Sequence, residues 1–179
     1  MNGFPQSPPE FPAPPELREP AARLWATGMF EDYGDKERDK FAIRVRGFPR
    51  PESTCLWLEA VGDLNGPALS VVLVRYRGDR WVPGGTVQCL VAGREYTLIP
   101  GFAFWDWWEL PEGGYETLTF SNFGIEETRE AFAAMVEQES PVLVRMTGGD
   151  VVVEFTVDEV DLQWLRDMLL LYRARSGAW

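Results

Sequence analysis

The chain has 179 residues, 45% of them apolar, with eight Trp and eleven Phe; that supplies a well-filled core and argues against global disorder. Its 28 acidic and 17 basic residues leave a net charge of −11, which argues against nucleic-acid binding because phosphate contacts need a basic face. There is no histidine, so Ser-His-Asp and Cys-His catalysis and His-ligated zinc are excluded, and two cysteines cannot close a Cys-rich zinc site.

Residues 1–20 carry seven prolines, a density that favours an extended polyproline II arm over helix or ladder. Phe4 and Phe11 are interleaved with them and are candidate partner contacts, so removing residues 1–20 is expected to weaken assembly while leaving the domain folded. The N-terminus lacks the basic start and apolar segment of a secretory signal, which predicts a cytoplasmic protein. In that compartment Cys55 and Cys89 are expected as reduced, buried thiols rather than a bridge. No apolar run reaches the roughly 18 residues of a membrane span.

From residue 21 to 179 the pattern reads as a single β-rich domain. A short helix is predicted near 20–28, with Pro20 in its first turn and Gly28 near its end. The charged stretch 31–40 is a solvated connection. Strands follow from Phe41 (Phe41, Ile43 and Val45 on one face), from Thr54 to Val61, and from Ala68 to Tyr76, the last apolar enough to be buried on both faces. The segments Phe48-Pro49-Arg50-Pro51 and Asp63-Leu64-Asn65-Gly66-Pro67 separate them as turns; the second only superficially resembles a calcium loop.

Residues 86–91 and 95–99 form a predicted hairpin over Gly93-Arg94, pairing Val91 with Tyr96 and Cys89 with Leu98. Phe102 to Leu110 is a strand or rim segment, and Tyr115 to Phe120 another strand. A helix is predicted over 124–138, with Glu126 and Glu127 at its positive end. Residues 142–155 then read as a hairpin closed by Gly148-Gly149, with Val142 facing Phe155, Val144 facing Val153, and Met146 facing Val151. Arg145 and Glu154 fall on its other side, diagonal to one another.

The last helix, near 158–175, runs from acidic Asp158 and Asp161 to basic Arg173 and Arg175 before Gly177. Its apolar stripe of Leu162, Leu165, Leu169 and Tyr172 is widened by Trp164, Met168 and Leu171, which suggests burial on more than one side, with a partner as one candidate cover.

The fold class is therefore mainly β (α+β): an antiparallel β-sandwich or curved sheet of about eight or nine strands, with a strand-connecting helix and a C-terminal helix. The only dense chemistry is Phe102-Ala103-Phe104-Trp105-Asp106-Trp107-Trp108-Glu109. Trp105, Asp106, Trp107 and Trp108 are the candidate contact residues for a partner or, stacked on sugar rings, for a glycan. Asp106 and Glu109 would be the carboxylates of a weaker third reading, a hydrolase whose acid is tuned by neighbouring indoles. The glycine pairs match no phosphate-binding fingerprint, and no cofactor or metal is implied.

The reading is a non-catalytic protein–protein interaction or assembly protein, self-associating or bound to a second protein. Structural subunit, phage or secretion-system component, and inhibitor or immunity protein all fit. The alternative is a carbohydrate- or small-ligand-binding domain built on the tryptophans.

Overall fold

The computed structural model describes residues 9–47, 53–63, 68–101 and 104–176. Phe4, the turn segments at 48–51 and 64–67, Phe102 and Gly177 lie outside them. In chain order the elements are α1 (Pro15–Trp25), β1 (Phe30–Asp32), a single 3-10 turn (Lys36–Arg38), β2 (Lys40–Val45), β3 (Cys55–Asp63), β4 (Ala68–Gly78) and β5 (Thr86–Val91). They continue as β6 (Arg94–Ile99), β7 (Phe104–Glu109), β8 (Tyr115–Asn122), α2 (Glu126–Val136), β9 (Val142–Gly148), β10 (Val151–Val157) and α3 (Glu159–Ser176). Among the described residues ten strands make two sheets, in the orders β1-β2-β3-β4-β8-β7 and β10-β9-β5-β6. The mainly β class with a C-terminal helix is as expected, with ten strands in place of eight or nine. No helix among the described residues is long and apolar enough to cross a membrane.

By internal packing the chain divides into two compact units. The first comprises Met1–Phe48, Leu58–Ser70 and Trp164–Trp179; the second comprises Pro49–Trp57 and Val71–Gln163.

In the first unit α1 starts at Pro15, five residues before the expected boundary, and holds Pro20 inside it. Proline is tolerated in a first turn because its missing N–H has no helical partner there, and Pro15 takes that place. Within the N-terminal segment Phe11 and Ala13 are buried, and the Ala13 N–H donates to the Ala174 carbonyl of α3 at 3.2 Å. Deleting residues 1–20 would thus strip part of this core and the first turns of α1. In β2 the alternation holds, with Phe41, Ile43 and Val45 buried. The Arg175 guanidinium lies over the Phe41 ring, 4.6 Å from its centroid.

On the broad apolar face of α3, Leu162, Leu165, Met168, Leu169, Leu171 and Tyr172 are all buried, and Trp164 is half-buried. Asp158 caps this helix, its carboxylate accepting a hydrogen bond from the Asp161 N–H at 2.8 Å. No group of three or more potential metal-ligating His, Cys, Asp or Glu side chains occurs among the described residues.

In the second unit α2 carries Thr128, Ala131, Phe132, Met135 and Val136 at i, i+3, i+4, i+7 and i+8, and all five are buried. The helix packs on β5 and β6, with the Cys89 thiol 3.7 Å from the Ala131 carbonyl oxygen and the Ser121 and Thr128 hydroxyls bonded at 2.7 Å. β4 largely alternates buried and half-buried residues, so it buries one face and not two; β3 instead has six consecutive buried residues, from Cys55 to Ala60.

Both hairpins close one residue away from the expected turn. β9 pairs with β10 around Gly149-Asp150, so Val144 faces Phe155, Met146 faces Val153, and Arg145 faces Glu154 directly. The face assignment survives because moving the turn by one residue changes the pairing by two, and Arg145 bonds Glu154 at 2.8 Å. Gly149, at φ +55°, takes the first loop position, where a two-residue hairpin tolerates glycine best. β5 and β6 close over Ala92-Gly93, both at positive φ, which sets Cys89 opposite Tyr96 rather than Leu98.

Cys55 and Cys89 are free, buried thiols. Burial pushes the Cys89 thiol up from 9.0 to about 12. The folded chain therefore keeps a proton that the unfolded chain releases, so this contribution is whole below pH 9.0 and is lost as pH rises through about 12. Stability should fall by up to about 1.4 kcal/mol per pH unit in that window. Burial also raises Cys55, and burial and the bond to Glu59 raise Tyr33, which adds to the same decline. Urea midpoints of the wild type and Cys89→Ala between pH 8 and 11 check this; an equally steep decline in the variant would contradict it.

Candidate functional site

The aromatic segment forms β7, the last strand of the six-stranded sheet, paired on one side with β8. Alternation sends Trp105 and Trp107 to one face and Asp106 and Trp108 to the other. Trp105 stands opposite Thr119 and Trp107 opposite Thr117; beyond them in β4 are Val74 and Tyr76. All four neighbours are buried, so this is the core face of the sheet. Trp107 nevertheless remains 48% exposed.

Trp81, from the loop between β4 and β5, meets Trp107 there. Their ring centroids are 5.2 Å apart with the planes tilted by 47°, and Trp81 is 45% exposed. Trp105 is half-buried over Gly84. Its Nε1 and the Thr117 hydroxyl beneath Trp107 are buried without a hydrogen-bond partner among the described residues. Unpaired buried groups of this kind cost about 1–3 kcal/mol each and are not what packing alone would select.

On the opposite face Trp108 is exposed and shares its row with Glu116 and Arg77. Arg77 is held by Glu112 at 2.8 Å and Glu116 at 3.1 Å. The Asp106 carboxylate accepts a hydrogen bond from the Trp107 backbone N–H at 2.9 Å. Asp106 and Glu109, three residues apart on a strand, point to opposite faces, so β7 by itself does not aim both carboxylates at one bond. Of the expected contact residues, the fold brings Trp105, Asp106, Trp107 and Trp108 onto one edge. Phe11 is buried in the other unit and Phe4 lies outside the described residues.

Trp81 was missed from the sequence because it sits in a turn segment, 26 positions from its ring partner. Equally invisible was a charged group in the first unit. There Tyr33 donates a hydrogen bond to buried Glu59, and Arg44 lies 4.2 Å over the Tyr33 ring while bonding Glu31 at 2.8 Å. Burial, then the Glu59 contact, pushes the Tyr33 phenol well above its ordinary range, which keeps it a donor rather than a base. Arg44, Glu31, Glu59 and the Tyr33 proton satisfy one another, as expected for a charged row crossing a sheet face. A shallow hollow of about 430 Å³ beside it is lined by Tyr33, Phe41, Ala42 and Val61.

No protein-family model matches the chain, and comparison with curated proteins and with solved structures finds no match.

Proposed function

We propose that this chain is a non-catalytic binding protein that contacts another protein through β7, anchored by the Trp81–Trp107 pair. The observation that carries this reading is that two indoles in mutual contact each keep nearly half their surface in water at a sheet edge. Covering the remaining half of one tryptophan, on the order of 100 Å², is worth about 2.5 kcal/mol. Clustered aromatic anchors of this size dominate protein interfaces.

A protein partner is favoured over a glycan by ring geometry. A pyranose needs an open aromatic face, whereas these rings, tilted at 47° and 5.2 Å apart, cover part of each other. The acidic chain matches a basic partner, which fits both a structural subunit and an inhibitor-type binder.

The test compares wild type and Trp107→Ala as bait in native cells, with crosslinking and mass spectrometry, alongside a glycan array. A stoichiometric partner recovered by wild type and lost with Trp107→Ala, at unchanged Tm, is the expected result. Equal recovery by both would refute the contact surface. A glycan signal abolished by the same substitution would move the site to the carbohydrate reading.

A further inference from the structure

The proposal that β7 is a contact surface can be carried to the kind of partner it accepts. We infer that β7 receives a basic, extended segment of another protein as an added strand. Cations on one face of that segment would lie over Trp107 and Trp81 and pair with Glu109, and a cation on its other face would pair with Asp106. This inference rests on the reading given above.

Three features converge on it. β7 ends the sheet order, and from Asp106 to Glu109 four consecutive residues are exposed, an open edge rather than a covered one. Such an edge carries unpaired backbone groups and is a template for a further strand. The edge is guarded by charge: Asp106 engages the Trp107 backbone N–H, which occupies a donor that an added strand could use. A lysine or arginine on the incoming segment would draw the Asp106 carboxylate away and release that N–H.

Along β7 and the turn after it the charge has one sign. Residues 104–114 contain Asp106, Glu109 and Glu112 and no Lys or Arg. The nearby cations are engaged, Arg77 by Glu112 and Glu116, and Arg80 by the Val152 carbonyl at 3.1 Å. A second copy of this chain fits poorly on the same edge, because it would set Asp106 and Glu109 against like charges on a chain of net charge −11. A cation above an indole face is attracted by the ring quadrupole, and tryptophan is the best aromatic for this.

The experiment titrates the full chain with three blocked eight-residue peptides, following tryptophan fluorescence and calorimetry. One repeats Lys-Lys-Val-Val, which puts lysines on both faces of a strand, one has glutamate for each lysine, and one is the lysine peptide N-methylated at alternate backbone amides. Only the first is expected to bind. Its affinity should drop at least about tenfold between low and high salt, since exposed ion pairs are screened. Asp106→Lys should weaken it by about tenfold, and Asp106→Asn by less.

Binding of the N-methylated peptide as tightly as the parent would overturn strand addition. Binding of the glutamate peptide as tightly as the lysine one would overturn the basic partner. A salt-resistant homodimer in light scattering that the lysine peptide fails to dissociate would assign the edge to a second copy instead. If all peptides fail while Trp107→Ala still abolishes capture of the native partner, the strand-addition inference falls and the contact surface stands.

Discussion

Gly148→Ala is expected to destabilise the second unit by roughly 3 kcal/mol or more, against about 1 kcal/mol for Gly149→Ala one position away. The two glycines do different work. A Cβ on Gly148 would collide with the Pro83 carbonyl oxygen and lie 2.8 Å from its carbon, both of them backbone atoms that cannot rotate aside. A Cβ on Gly149 would meet only the Pro83 side chain at 3.5 Å, so its cost is the positive φ alone. The same crossing is held from the other side by Gly85, whose Cβ would strike the Thr147 carbonyl. Gly85→Ala should therefore cost as much as Gly148→Ala, and the double variant less than the sum, because the first change has already forced the segments apart. Urea midpoints of the four variants against the wild type decide this. Equal losses for Gly148→Ala and Gly149→Ala would show that the close approach of residues 83–85 to 147–148 does not constrain the fold.

Phe132→Ala should have the second large effect, a loss of about 3–5 kcal/mol. Phe132 is wholly buried on the inner face of α2, and its ring meets that of Phe123 at 5.0 Å with a tilt of 55°. Truncation leaves a cavity bounded by a helix and strands that cannot collapse independently, and it removes a tilted aromatic contact. Phe132→Leu, which retains most of the volume, should lose much less. Calorimetry of both variants distinguishes packing from fold: similar small losses for the two would mean that α2 adjusts freely on β5 and β6. Neither substitution touches Trp81 or Trp107, so whatever folded fraction remains should keep the binding properties of the wild type.

These effects mark where local sequence signals stop being sufficient. Gly148-Gly149 was recognisable as hairpin chemistry because two glycines between β-branched runs have little other use. The turn was nevertheless placed one residue early. Gly148 is glycine for the sake of Pro83, sixty-five positions distant in the chain, and local turn preference cannot see that neighbour. The β5–β6 turn failed for a related reason, since Ala92 accepts a positive φ that its type does not advertise. Division into two compact units was also hidden. The chain enters the first unit three times, so no linker or shift in composition marks a boundary.

Periodicity determined the rest. The spacing of 3.6 in α2 and α3 and of 2 in β2, β9 and β10 follows from backbone geometry and is written directly into residue order. So are the acidic starts of α2 and α3 and the basic end of α3. Alternation within Trp105-Asp106-Trp107-Trp108 likewise determined which side chains share a face. Only the tertiary structure decided which faces water reaches. It covered the wide apolar face of α3 and the ring of Phe11, for which a partner was one candidate cover. It left Trp107 open and brought Trp81 against it. Hydrophobic burial is non-directional, so an apolar residue declares that it will be covered and not by what. That choice belongs to the packing of distant segments, and here it left the indoles at the end of a sheet as the exposed remainder.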